Sequence, residues 1–287
     1  MIKTPLSTVI GGSFWTPGAT VIGGTSKKTF DQLIQSIFTN NEQGFFYDPN
    51  DLSTMFQDSA GATPVTAVGQ PVGLIRDKSG RNNHAFQTKS ASRPILQRNA
   101  TTGAYYLAFD GADDFLQTNS INFTATDKVS LVAGIRKLSD SVLGVVLETG
   151  TNYATPTGGF ALFAPFNIPA SLGLGVSSGN VSYVQGYSGY EAPRNSVTSL
   201  RLDLSATGRP SKTKFNIDGA RQDIAEGSAA AGIFANTPIF IGRRGGTSLP
   251  FNGHIYSLIG VGKLTTDSET AAIEKEIAKR LGVTLNV

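Results

Sequence analysis

The chain has 287 residues, 39% of them hydrophobic, no cysteine, and 24 basic against 21 acidic residues for a net charge of +3. Absent cysteine excludes disulfide staples, thiolate metal sites and cysteine nucleophiles together, and no apolar run approaches the roughly 20 residues that span a bilayer. Only 16% of residues are charged and the densest basic spot is the isolated Arg243–Arg244 pair, so neither a nucleic-acid groove nor a membrane partner is expected.

Residues 1–43 differ in character from the rest. The N-terminus lacks the continuous apolar stretch of a secretory leader. "TVIGG" occurs at 8–12 and again at 20–24, which suggests an extended arm making two short equivalent pairings, a plain hairpin being the alternative. The stretch "SKKTFDQLIQSIFTNN" follows. Phe30, Leu33, Ile34, Ile37 and Phe38 recur with helical spacing, and Thr29 with Gln32 has the form of a capping box. A short amphipathic helix is predicted, with no obvious apolar partner in its own neighbourhood. Its stripe is therefore expected to bury itself on another protein or a sister subunit, making residues 1–43 an anchoring or oligomerisation segment.

From residue 44 to about 262 the text is strand and turn. "VSLVAGIRKL", "GFALFAPF", "TSLRLDLS", "TKFNIDGA" and "HIYSLIGVG" are β-prone runs separated by Gly, Pro, Asn or Asp, several of them alternating apolar and polar. This predicts an all-β fold, an antiparallel two-sheet sandwich. Core positions are expected at Phe109, Phe115, Leu131, Phe160, Leu202, Phe215, Ile217, Phe240 and Ile255. The segment "FDGADDFLQ" crowds Asp110, Asp113 and Asp114 together, which reads either as a turn opening a strand or as a calcium loop.

"GVSSG" at 175–179 matches the G-x-S-x-G nucleophile motif, but no helix is predicted after it and the motif needs one. "SYVQGYSGYEAPRN" gathers Tyr183, Tyr187, Tyr190 and Arg194; the rings could stack on sugars, or could simply pack on a sheet. His84 and His254 are the only histidines, too few for a transition-metal centre. No Glu-x-Asp pair occurs, so the paired acids of a glycoside hydrolase on one strand face are missing, and no enzymatic activity is expected. At the C-terminus, Thr266 and Glu269 form a second capping box, and Ile273, Ile277 and Leu281 a narrow stripe, predicting a helix over 266–281 ended by Gly282.

Three blocks, residues 44–87, 93–117 and 250–283, together resemble the concanavalin A-like lectin/glucanase (laminin-G-like) domains of bacteriophage virion proteins, of tail-fibre, minor structural or head-decoration type. The resemblance covers residues 44 to 284 and implies a jelly-roll sandwich, including the C-terminal helix, in a domain 44–287. In such domains the "FDGADDF" segment is a turn, with Gly111 turning and Phe115 pointing inward. The implied function is that of a non-enzymatic virion structural protein mounted through its N-terminal segment on other virion proteins, the alternative being a carbohydrate-binding module for host-surface glycans. A homo-oligomer, most simply a trimer, is expected at the virion surface, made in the host bacterial cytoplasm. No cofactor is expected beyond calcium at the three aspartates.

Overall fold

The computed structural model describes residues 8–10, 13–15, 28–155, 157–166 and 171–286. Among these the strands are antiparallel and form two large sheets packed face to face. One is eight-stranded, in the order Ala220–Gln222, Thr213–Ile217, Arg194–Asp203, Lys128–Lys137, Asn252–Val261, Tyr105–Asp110 and Ile95–Arg98, with Gly44–Tyr47 paired to the far half of Asn252–Val261. The other is nine-stranded: Val181–Ser188, Ser171–Ser178, Gly158–Phe163, Val145–Thr149, Ile239–Ile241, Leu116–Thr118, Ala85–Phe86, Leu74–Ile75 and Met55–Phe56. The predicted antiparallel sandwich is the observed fold.

Alternation explains the core. Along Lys128–Lys137 the side chains of Val129, Leu131, Ala133 and Ile135 enter the space between the sheets. Phe109, Phe160, Leu202, Phe215, Ile217 and Ile255 join them, as expected. Two expected core residues are displaced. Phe115 is only half-buried, and Leu116 enters the core in its place. Phe240 is shielded, but on the outer side, where its ring lies 6.5 Å from that of Phe115; Ile239 and Ile241 take the inner face. The side-chain period of a strand is two, so a turn one residue longer than assumed exchanges inside for outside.

Among the described residues three α-helices accompany the sheets: α1 (Phe30–Gln35), α2 (Arg209–Lys212) and α3 (Asp267–Leu281). Both predicted capping boxes form, Thr29 with Gln32 and Thr266 with Glu269, and Gly282 closes α3 in the left-handed conformation at φ 69°. α3 crosses the outer face of the eight-stranded sheet so closely that a β-carbon on Gly134 would stand 2.4 Å from Ile277 Cγ2. Only glycine fits beneath it.

The expectation that α1 has no apolar surface of its own chain to cover is corrected. Ile34, Ile37 and Phe38 are buried in a second core shared with Phe46, Val132, Tyr256 and Ile259 of the sheet and with Ile273, Ile277 and Leu281 of α3. Phe30 meets Phe46 edge-on at 5.5 Å and is roofed by the Arg280 guanidinium at 4.2 Å, while Leu33 packs at the margin. The five stripe residues therefore hold α1 to the sandwich and are not free to anchor it elsewhere. Before α1, Thr8–Ile10 pairs with Ser13–Trp15 as a hairpin; the second "TVIGG", at 20–24, lies outside the described residues.

Candidate ligand-binding cleft

Of the three tyrosines, Tyr183 is interior, while Tyr187 and Tyr190 are half-buried at the edge of the core. Tyr183 is buried, its hydroxyl bonded to that of Thr213 on the facing sheet. Tyr187 stacks on Phe215 at 5.5 Å and donates to the Asp223 carbonyl at 3.0 Å. Tyr190 packs against the same core, under Arg194, whose guanidinium is 5.4 Å from the ring and 2.9 Å from the Asp218 carboxylate. These rings close the end of the sandwich where both sheets finish, and their faces are spent on neighbours. The "GVSSG" stretch lies on the Ser171–Ser178/Val181–Ser188 hairpin, so its serine is not lifted on a strand-to-helix elbow.

The three aspartates form a turn. Asp110 Oδ1 accepts from the amides of Ala112 at 2.8 Å and Asp113 at 3.2 Å, around Gly111 at φ 75°. Asp113 turns away to accept from the Ser92 hydroxyl at 2.5 Å. Asp114 is buried and accepts from the Asp110 amide at 3.0 Å; burial, reinforced by the charge of Asp110, pushes its carboxyl up to about 7. Their oxygens do not converge on one point, and among the described residues no group of three or more His, Asp or Glu side chains is placed to hold a metal ion.

A different place has the shape of a binding site. At the far end of the nine-stranded sheet, Met55–Phe56, Leu74–Ile75 and Ala85–Phe86 lie side by side. Met55, Ile75 and Ala85 face the core, so Phe56, Leu74 and Phe86 lie on the opposite face, Phe56 and Leu74 covered there and Phe86 half-buried. Leu74 and Phe86 line a cleft of about 770 Å³ whose rim carries Arg76, Asn82, His84 and Asn119. The Arg76 guanidinium lies 4.4 Å from the Phe56 ring centroid.

One wall of the cleft is the turn 77–84, which is rigidly made. The Asp77 carboxylate accepts from the amides of Phe46 (2.8 Å), Ser79 (2.8 Å) and Asn83 (3.0 Å) and from the Ser79 hydroxyl (2.7 Å). The Asp77 amide in turn donates to His84 Nδ1 at 3.0 Å, which leaves Nε2 to carry the ring proton as a donor. From behind, Lys78 pairs with Asp31 and Asp51, both at 2.9 Å, and Arg81 donates to the Phe38 carbonyl and to Asn41, both at 3.0 Å. α1 and the residues after it thus brace the turn.

A second hollow, beside the start of α3, is already satisfied. There Arg201 donates to the Thr265 carbonyl and Asp267, and Lys212 to the Leu204 carbonyl at 2.7 Å. Sequence reasoning passed over the 770 Å³ cleft because its residues come from separated two-residue strands, too short for periodicity to reveal. The available signal was "RDKSGRNNHAFQ" at 76–87, a turn dense in Arg, Asn and His leading into an aromatic.

No protein-family model matches the sequence, and no curated protein matches it. Solved structures do. A structure of botulinum neurotoxin type C, from work on its dependence on interaction with two ganglioside molecules, superposes with a TM-score of 0.53 at 11% identity, over 83% of this chain and 52% of that one. The binding domain of botulinum neurotoxin serotype D gives 0.54 at 10% identity, over 85% and 52%. This chain spans about half the length of those proteins. At such identity the likeness is one of fold alone, that of an antiparallel β-sandwich.

Proposed function

We propose that this chain is a lectin-like module that binds glycans in the cleft between Arg76, Asn82, His84, Phe86 and Asn119. The observation that carries the reading is the cleft itself: Leu74 and the half-buried Phe86 at its floor, under a rim of hydrogen-bond donors and amides. A pyranose needs that combination, an apolar floor for its C–H face and fixed polar groups for its hydroxyls. The likeness to a toxin whose cell uptake involves gangliosides supports it. Hydrolysis finds less support, because Asp77, the one carboxylate lining the cleft among the described residues, is committed to four donors. A glycan array probed with the whole chain tests the proposal. Binding should fall at least about tenfold with Phe86→Ala, the loss of roughly 1.4 kcal/mol; silence across the array refutes it.

A placement follows from the sequence resemblance of residues 44–284. In this reading the module is a non-enzymatic bacteriophage virion protein, tail-fibre or head-decoration in type, assembled as an oligomer and joined to other virion proteins through the residues preceding α1. Host-surface recognition and a structural role are compatible in one molecule. Immunogold labelling of particles with antibody to this chain should mark tails or heads, and unlabelled particles would end the placement while leaving glycan binding untouched.

A further inference from the structure

Resting on the glycan-binding proposal, we infer that the cleft is specific for acidic saccharides, and that Arg76 is the residue that recognises the sugar carboxylate. The argument is a balance of charge and hydrogen-bonding capacity. Among the described residues Arg76 makes no ion pair, and the Phe56 face beneath it takes up the flat of the guanidinium without neutralising it. An exposed arginine without a partner is ordinary on a surface. Here it stands on the rim of a cleft with no open negative charge, since Asp77 is buried and its four accepting positions are filled.

The other groups are donors or neutral. The Asp77 amide occupies His84 Nδ1, so the ring's remaining group is the Nε2–H donor. The Asn83 amide is tied to the Gly44 carbonyl at 2.7 Å and cannot swing in to answer Arg76. Asn82 and Asn119 complete the rim. One permanent cation, an imidazole donor and no free anion form the complement of a carboxylate. The planar guanidinium fork binds a planar carboxylate through two parallel hydrogen bonds, a match that a point charge does not provide. An apolar floor within the same cleft requires that the carboxylate be carried on a ring with a C–H face, which describes hexuronic and related sugar acids.

The test is calorimetry on the full chain with a panel of acidic oligosaccharides, each paired with its carboxyl-reduced neutral counterpart and with a sulfated version of the neutral chain. The acidic member should bind at least about tenfold more tightly than its reduced partner. Arg76→Gln should abolish that preference, the acid and its reduced partner then binding alike, and Arg76→Lys should keep only part of it, because an ammonium lacks the fork. Equal binding of acid and reduced forms overturns the inference but leaves the glycan-binding proposal standing. Equal binding of the carboxylated and sulfated forms overturns it too, since diffuse attraction would then suffice. No binding by any member defeats both.

Discussion

Asp114 and Glu148 are carboxyl groups held away from water, and each is pushed up to about 7, burial being the first cause in both cases. Arg244 faces Glu148 with Nε 3.1 and 3.2 Å from its two oxygens, which opposes the effect of burial without cancelling it. A carboxyl raised in the folded state binds its proton more tightly there than in the unfolded chain. Its contribution is therefore full below the unfolded value near 4.5, and stability declines as pH climbs from there to about 7. Arg244→Ala should expose the cost plainly. At pH 8 the variant strands an ionised Glu148, and breaking such a buried pair typically costs about 3–5 kcal/mol. At pH 5 the carboxyl can take a proton, and the loss should shrink to a fraction of that. Denaturant melts of both proteins at the two pH values check this; an equal loss at both would mean that Arg244 acts by packing over Tyr153 and Phe163 alone.

The helices show how far an element can be read before its neighbours are known. Both capping boxes and the left-handed Gly282 were legible because they depend on residues three or four apart. The partner of α1 was not, because an apolar stripe states that something covers it and not what. The answer lay in Phe46, Val132 and Ile259, apolar residues on the outer face of strands whose inner face was already filled, and these read simply as strand core. The misplaced Phe115 has the same origin, since the length of the turn before it set the register. The tyrosines looked available for a ligand because periodicity cannot say which rings face a second sheet. If α1 belongs to the body, Ile34→Ala should behave as a core truncation, destabilising the chain by about 2–4 kcal/mol in a urea melt. A change below about 0.5 kcal/mol, the range of ordinary surface substitutions, would return α1 to the role of a loosely held arm.

At the scale of the whole molecule, the sandwich has two unlike sides. α1 and α3 lie together on the outer face of the eight-stranded sheet, while the cleft opens on the outer face of the other sheet near its last strands. The turn 77–84 links the two regions, forming a cleft wall on one side and gripped through Lys78 and Arg81 on the other. This has a mechanical consequence. Should the chain be tethered through the residues before α1, tension arriving at residue 28 passes along α1 both into its buried stripe on the long central strands and into the Lys78–Asp31 and Arg81–Phe38 contacts. Those few polar contacts are more exposed than the buried stripe of α1 or the sheet ladder, so the brace behind the cleft wall loosens while the sandwich is still whole. If the cleft holds a sugar as proposed, load would remove the support behind one of its walls first, and the sugar would be released faster the harder the chain is pulled, with the fold itself spared.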